Sequence, residues 1–247
     1  MNIIFLVILL ILSINILNKK ALTLILSFIK NFMILITMYY LMALGFDILT
    51  LTIISIILLT IVILFDALGY SYKTVVSFLS VIIVLIILSI LILFLIKFTN
   101  ISGFGLENLE SIYMYSENIK INMNLICFAF IITNLIGALI DTSLSISTSL
   151  NEIYTLNNKI KKDELYQSGI NIGKDILGST INTVLFAFVA EFLSFILYLI
   201  YSNYSIVEIL NTKTFNLEII KLIICILGCV IIIPITSFLF TKKITNK

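Results

Sequence analysis

Asp141 is the residue in this sequence best placed to do chemistry, because it stands inside an apolar run among small polar neighbours. Gly137, Asp141, Ser145, Thr148 and Glu152 follow one another at intervals of four, four, three and four residues, so on a helix they share one face. Asn134 and Ala138 lie beside the start of that face. Further on, Asp175, Ser179 and Thr183 recur every four residues, with Gly178 and Asn182 adjoining and Ala187, Ala190 and Glu191 continuing the row. A carboxyl withdrawn from bulk water is costly to keep charged, so it can take up and give back a proton or hold a cation. Asp141 and Glu191 are therefore the candidate ion- or proton-coupling groups. Asn134, Ser145, Thr148, Ser179, Asn182 and Thr183 are the candidate neutral ligands or relay groups.

The same residues admit a plainer account. Small residues let helix backbones approach, and Ser, Thr and Asn can hydrogen-bond across the contact for about 0.6 to 2 kcal/mol each. On that account the stripe is a packing seam. Gly137, Gly173, Gly178 and Gly228 are its contact points, and Pro234 is a kink or hinge that removes one backbone donor. A carboxylate at the bilayer centre costs roughly 3 kcal/mol on insertion scales. Placed nearer the inner end of its span, Asp141 can instead snorkel to the headgroups or pair with Lys174. Glu191 has a similar alternative as an outer interface residue.

Composition says what must position these groups. Of the 247 residues, 61% are hydrophobic and 11% charged, and the mean hydropathy is +1.23. That is more apolar surface than one soluble core could hide, so lipid is the expected solvent. The expectation is an all-α, polytopic transmembrane bundle of about seven spans, with the N-terminus outside and the C-terminus cytoplasmic, residues 1–247 forming one integral membrane domain of the cell membrane. The spans run over residues 2–17, 32–46, 48–65, 75–96, 125–148, 176–200 and 219–240. Residues 21–30 are too short to cross alone and either lie along the interface or lengthen the second span. Residues 151–175 are a cytoplasmic polar loop and amphipathic helix between spans five and six. This topology leaves Lys97, Lys120, Lys213 and Lys221 outside and the other eleven of the fifteen basic residues, all Lys, inside, in keeping with the positive-inside rule.

Several chemistries are excluded by what is missing. There is no His, which removes Ser-His triads, His-based metalloprotease sites and His proton shuttles. No Walker loop is present, and Asp141 has no twin acid at matched depth for an intramembrane aspartyl protease. Cys127, Cys225 and Cys229 all fall in apolar runs and read as buried structural thiols; Cys225 and Cys229, one turn apart, lack the further ligands of a zinc site. The chain is expected to be no enzyme and to need no metal or cofactor. A net charge of +2 gives no footprint for nucleic acid.

A resemblance sharpens the picture. Gly137-Ala138-Leu139-Ile140-Asp141, Ser145-Ile146-Ser147, Ser149 and Glu152, followed by Gly169, Ile172-Gly173-Lys174-Asp175-Ile176-Leu177-Gly178 and Asn182-Thr183, resemble the signature of the YibE/YibF-like family of bacterial multi-spanning membrane proteins. Gly69 with Lys73-Thr74, and Gly228 with Ile233-Pro234-Ile235-Thr236, resemble its flanking motifs. The chain is similar to the shorter, YibF-like form, which implies a larger YibE-like membrane protein as partner. By looser analogy, the Gly-x-x-x-Asp step followed by two spans resembles half of a resistance-nodulation-division type transporter, in which such an aspartate serves proton coupling. The expected function is a secondary transport or export component, with a non-transporting scaffold or assembly subunit as the alternative.

Overall fold

The computed structural model describes residues 19–99, 101 and 122–244. Helix is the conformation this sequence dictates, because an apolar chain in lipid must satisfy every backbone N–H and C=O within the segment. Its many Ser and Thr do not break that pattern. Their hydroxyls donate back to the carbonyl one turn earlier, as Thr52 does to Ile48 and Thr60 to Ile56, both at 2.7 Å. The elements are α1 (Lys19–Ala43), α2 (Ile48–Ile61) continued by a π-helical turn (Val62–Asp66), α3 (Tyr72–Thr99), α4 (Met123–Leu156), α5 (Lys162–Tyr201), the short α6 (Ile206–Asn211) and α7 (Lys213–Ile244).

Six of these helices, all but α6, are long and apolar enough to cross a membrane. The architecture is thus the all-α polytopic bundle that the composition calls for. The expected first span, residues 2–17, and most of the stretch 97–124 between the fourth and fifth expected spans lie outside the described residues. Residues 21–30 lengthen the second expected span, since α1 starts at Lys19. The polar segment 151–175 is shorter as a connection than its composition implied. α4 continues to Leu156 and α5 starts at Lys162, so only five residues, Asn157 to Lys161, join them.

The chain divides into two compact units, Met1–Val75 and Val76–Lys247. In the first, α1 ends where Gly45 takes φ +88°, a left-handed conformation that costs glycine little and closes the helix with Gly45 N–H donating to Met42 O. Asp47 then caps α2 by accepting from the Thr50 N–H at 2.9 Å. The Thr50 hydroxyl donates to the same carboxylate, and these two bonds, the hydroxyl one foremost, hold the Asp47 carboxyl below its ordinary value of 3.8. Ser27 of α1 donates to Val62 O at 3.3 Å, and Lys30 pairs with Asp66 at the exposed end of the π turn.

The second unit is built on α7, which packs against both α4 and α5. Gly228 of α7 is the close point with α3 and α4: a Cβ there would lie 2.9 Å from Leu88 Cδ1 and 3.0 Å from Leu139 Cδ2. Buried hydroxyls add cross-helix bonds, Ser143 with Thr236 at 3.1 Å and Ser77 with Ser147 at 2.7 Å. On the α5 side, Gly169 faces Ser237 and Gly173 faces Ile233. Pro234 lies within α7, whose helical assignment runs unbroken from Lys213 to Ile244.

Candidate functional site

The polar faces of α4 and α5 do not close on each other as a seam. They line a cavity of about 540 Å³ whose remaining wall is α7. α4 contributes Asn134, Gly137, Ala138, Asp141 and Ser145, α5 contributes Ser179, Thr180, Thr183, Ala187 and Glu191, and α7 contributes Lys221, Leu222 and Cys225. The four-residue spacing read from the sequence puts these side chains in line, and α7 keeps the two stripes apart by packing against each.

Asp141 lies close to the middle of the helices. Its neighbour Thr142 meets Cys229 Sγ at 3.8 Å. Cys229 is about 24 Å from the start of α7 and about 22 Å from its end at 1.5 Å per residue. Asp141 has no hydrogen bond or ion pair among the described residues, and none joins it to Lys174. The side chain is exposed to the cavity rather than sealed in the core.

The hydroxyls around it are prepared as acceptors. Ser179 Oγ donates to Ile176 O at 2.8 Å, Thr183 Oγ1 to Ser179 O at 3.0 Å, and Thr180 Oγ1 to Ile176 O at 3.2 Å. Each has spent its only proton inside its own helix, so what it offers the cavity is lone pairs. With the amide oxygen of Asn134 and the carboxylate of Asp141, the donor set is oxygen throughout, which suits a hard cation or a proton carried on water.

The other charged part of the cavity is a cluster about Lys221. This lysine is 4% exposed. Its Nζ stands 3.0 Å from Glu191 Oε2, pairs with Glu218 one turn earlier on α7, and lies 4.7 Å from the centre of the Phe130 ring. The ammonium is thus held by a carboxylate from α5, one from α7 and an aromatic face from α4. Glu191, whose side chain is 56% exposed, is committed to that lysine.

The structure therefore gathers Asp141, Glu191, Asn134, Ser145, Ser179 and Thr183 at one cavity. Thr148 and Asn182 are not among its lining residues; Asn182 is exposed and Thr148 half-buried. The glycines divide differently from the sequence expectation. Gly173 and Gly228 are contact points, whereas a Cβ at Gly137 or Gly178 would meet nothing within 4 Å, so neither holds a helix contact among the described residues. Gly169 takes up the second α5 contact. Sequence reasoning placed Lys221 at an outer helix end; the signal that could have found it is its i, i+3 spacing from Glu218 within an otherwise apolar run. All three cysteines are buried and free, and no group of three or more His, Cys, Asp and Glu among the described residues could hold a metal ion.

Comparison with known proteins agrees with the motif. The family described as YibE/F-like protein matches residues 5–246, nearly the whole chain, and the chain belongs to that family. No curated protein and no solved structure matches it.

Proposed function

We propose that this YibE/F-like protein is a secondary transport or export component of the cell membrane, in which Asp141 loads and releases a proton or other cation inside the cavity between α4, α5 and α7. The observation that carries the reading is the position of Asp141: an unpaired carboxylate at mid-helix depth, facing oxygens that have only lone pairs to give. Intramembrane acids placed in this way pair with one another, with backbone, or with what moves through the protein. Among the described residues lining the cavity, no hydroxyl or thiol is hydrogen-bonded to a carboxylate or amine base, which supports a carrying role over bond making. A larger YibE-like protein acts with it and supplies what lies outside the membrane.

The test uses inverted membrane vesicles from cells that keep any partner, with proton movement read by a pH-sensitive dye. Asp141→Asn is expected to lower proton flux to the background of vesicles without the protein, while insertion, checked by protease accessibility, stays normal. Unaltered flux in a normally inserted Asp141→Asn protein overturns the reading and favours a scaffold, in which the polar faces serve assembly alone.

A further inference from the structure

The cavity is far larger than a proton on Asp141 requires. A water molecule occupies about 30 Å³ of liquid, whereas the cavity holds about 540 Å³, inside the range of roughly 300–1,000 Å³ found for pockets that take drug-sized molecules. Its charge is negative at two separate levels. Thr142, next to Asp141, meets Cys229, and Lys221 is eight residues from Cys229 along α7, about 12 Å of helix. At the Lys221 level one ammonium is shared by Glu191 and Glu218, so that cluster keeps one negative charge in excess. Only Oε2 of Glu191 is engaged, and its Oε1 makes no bond among the described residues. Asp141, at the other level, has no ion pair.

The rest of the wall narrows the choice of ligand. On the stretch of α5 that leads to Glu191 it is formed by Val184, Ala187 and Phe188, and on α7 Leu222 adjoins Lys221. Such a surface cannot replace the shell of a hard metal ion, which takes about six oxygens. It suits the carbon body of a larger ligand. Anions are opposed, because Lys221, the one cation among the described lining residues, is already held by two carboxylates. The hydroxyls of Ser179, Thr180 and Thr183 have lone pairs to offer, which match the N–H donors of an ammonium.

Resting on the proposed cation-loading role of Asp141, we infer that the cavity binds an amphipathic organic cation, an ammonium group carried on an apolar body. The ammonium donates to Asp141 or to the free oxygen of Glu191, and the body lies against Val184, Phe188 and Leu222. The two acidic levels give the molecule two stations along one passage.

The test is equilibrium binding to the purified chain in nanodiscs, read by the fluorescence of dansylcadaverine, an apolar dye on a primary ammonium, with empty nanodiscs subtracted. Its N-acetyl derivative keeps nearly the same shape and has no charge. The wild type is expected to bind dansylcadaverine saturably and at least about tenfold more tightly than the N-acetyl derivative, the scale of one nearby unit charge in partly solvated surroundings. Asp141→Asn and Glu191→Gln should each weaken dansylcadaverine by about tenfold and leave the neutral compound unchanged. In Glu191→Gln the lysine keeps Glu218 as its counter-charge, so no buried ammonium is stranded. Gly137→Leu fills the cavity from α4, where a Cβ meets nothing within 4 Å, and should weaken both compounds.

No saturable binding, equal binding of the charged and neutral dyes, or an affinity that neither Asp141→Asn nor Glu191→Gln changes overturns the inference. Binding that persists in Gly137→Leu puts the dye elsewhere and overturns it as well. The two readings fail separately. Proton flux lost in Asp141→Asn while the wild type binds no dye removes the organic cation alone. Flux unaltered in Asp141→Asn, with dye binding still sensitive to Glu191→Gln and Gly137→Leu, removes the coupling role of Asp141 and keeps the binding site.

Discussion

The tightest of the described glycine contacts in the second unit, Gly173 of α5 against Ile233 of α7, offers a quantitative test of the fold. At Gly173 a Cβ would stand 2.3 Å from Ile233 Cγ2, 2.9 Å from its Cγ1 and 3.1 Å from its Cβ. Ordinary carbon contacts lie at roughly 3.5–4.0 Å, so Gly173→Ala asks for a shift of more than about 1 Å. The neighbour cannot supply it easily. Ile233 is β-branched and stiff at χ1, it is 5% exposed, and its backbone precedes Pro234, which restricts it further. Overpacking of this kind costs up to about 3 kcal/mol. Alanine returns about 1 kcal/mol through its higher helix propensity, which leaves about 2 kcal/mol of net destabilisation. Gly178→Ala, five residues along the same helix, meets nothing within 4 Å and should stabilise by about 1 kcal/mol for the same propensity reason. The two substitutions should thus differ by about 3 kcal/mol in unfolding from mixed micelles with increasing sodium dodecyl sulfate, followed by circular dichroism. Ile233→Ala removes the two nearest atoms and leaves only its Cβ, at 3.1 Å, and in that background Gly173→Ala should become close to neutral, a coupling of about 2 kcal/mol. Equal stability of the two alanine variants, or a penalty that persists without the Ile233 side chain, refutes the packing argument.

Further predictions concern the cavity and the short helix α6. In a background where Cys127, Cys225 and Cys229 are Ala, Ser145→Cys and Thr183→Cys should react with a water-soluble methanethiosulfonate at least about tenfold faster than Ser143→Cys, since thiol reactivity follows exposure; Ser143 is buried against Thr236. Equal rates mean that the cavity does not admit water. Glu208 caps α6 reciprocally with Ser205, accepting from its N–H at 2.7 Å and from its hydroxyl. These bonds, the backbone one foremost, hold the Glu208 carboxyl below its ordinary 4.5. A depressed folded value means that the cap contributes fully above the unfolded value and is lost as pH falls through the folded one. Protection of the Glu208 and Ile209 amides from hydrogen exchange, corrected for intrinsic rates, should fall on acidification below 4.5 in the wild type and stay flat in Glu208→Gln.

What the sequence could and could not convey follows from the same residues. The stripe of Asn134, Asp141 and Ser145 and that of Ser179 and Thr183 were legible because helical period fixes which side chains share a face, whatever that face meets. Whether the opposing helix stands at contact distance is not in the period. Gly137 and Gly178 therefore looked like packing points although the contacts belong to Gly169 and Gly173. Helix ends were misplaced around residues 151–175 for a related reason: polarity marks where a helix leaves lipid, not where it stops being a helix. Lys221 was hidden by counting. A lone lysine near a span's end satisfies the inside–outside balance equally well in headgroups or, as here, pinned between Glu191, Glu218 and Phe130.

The length of α5 has a mechanical corollary. Its 40 residues make a rod of about 60 Å, twice the thickness of the hydrocarbon layer, so one end stands in water. The rod meets α7 closely at Gly169 and Gly173, near its N-terminal end. Glu191 is 18 residues further along, an arm of about 27 Å, so a rocking of about 5° sweeps it by about 2 Å. That displacement is enough to part it from Lys221, now 3.0 Å away. A tilt of α5 about its contacts with α7 would therefore lengthen the one ion pair that joins the far part of α5 to Lys221.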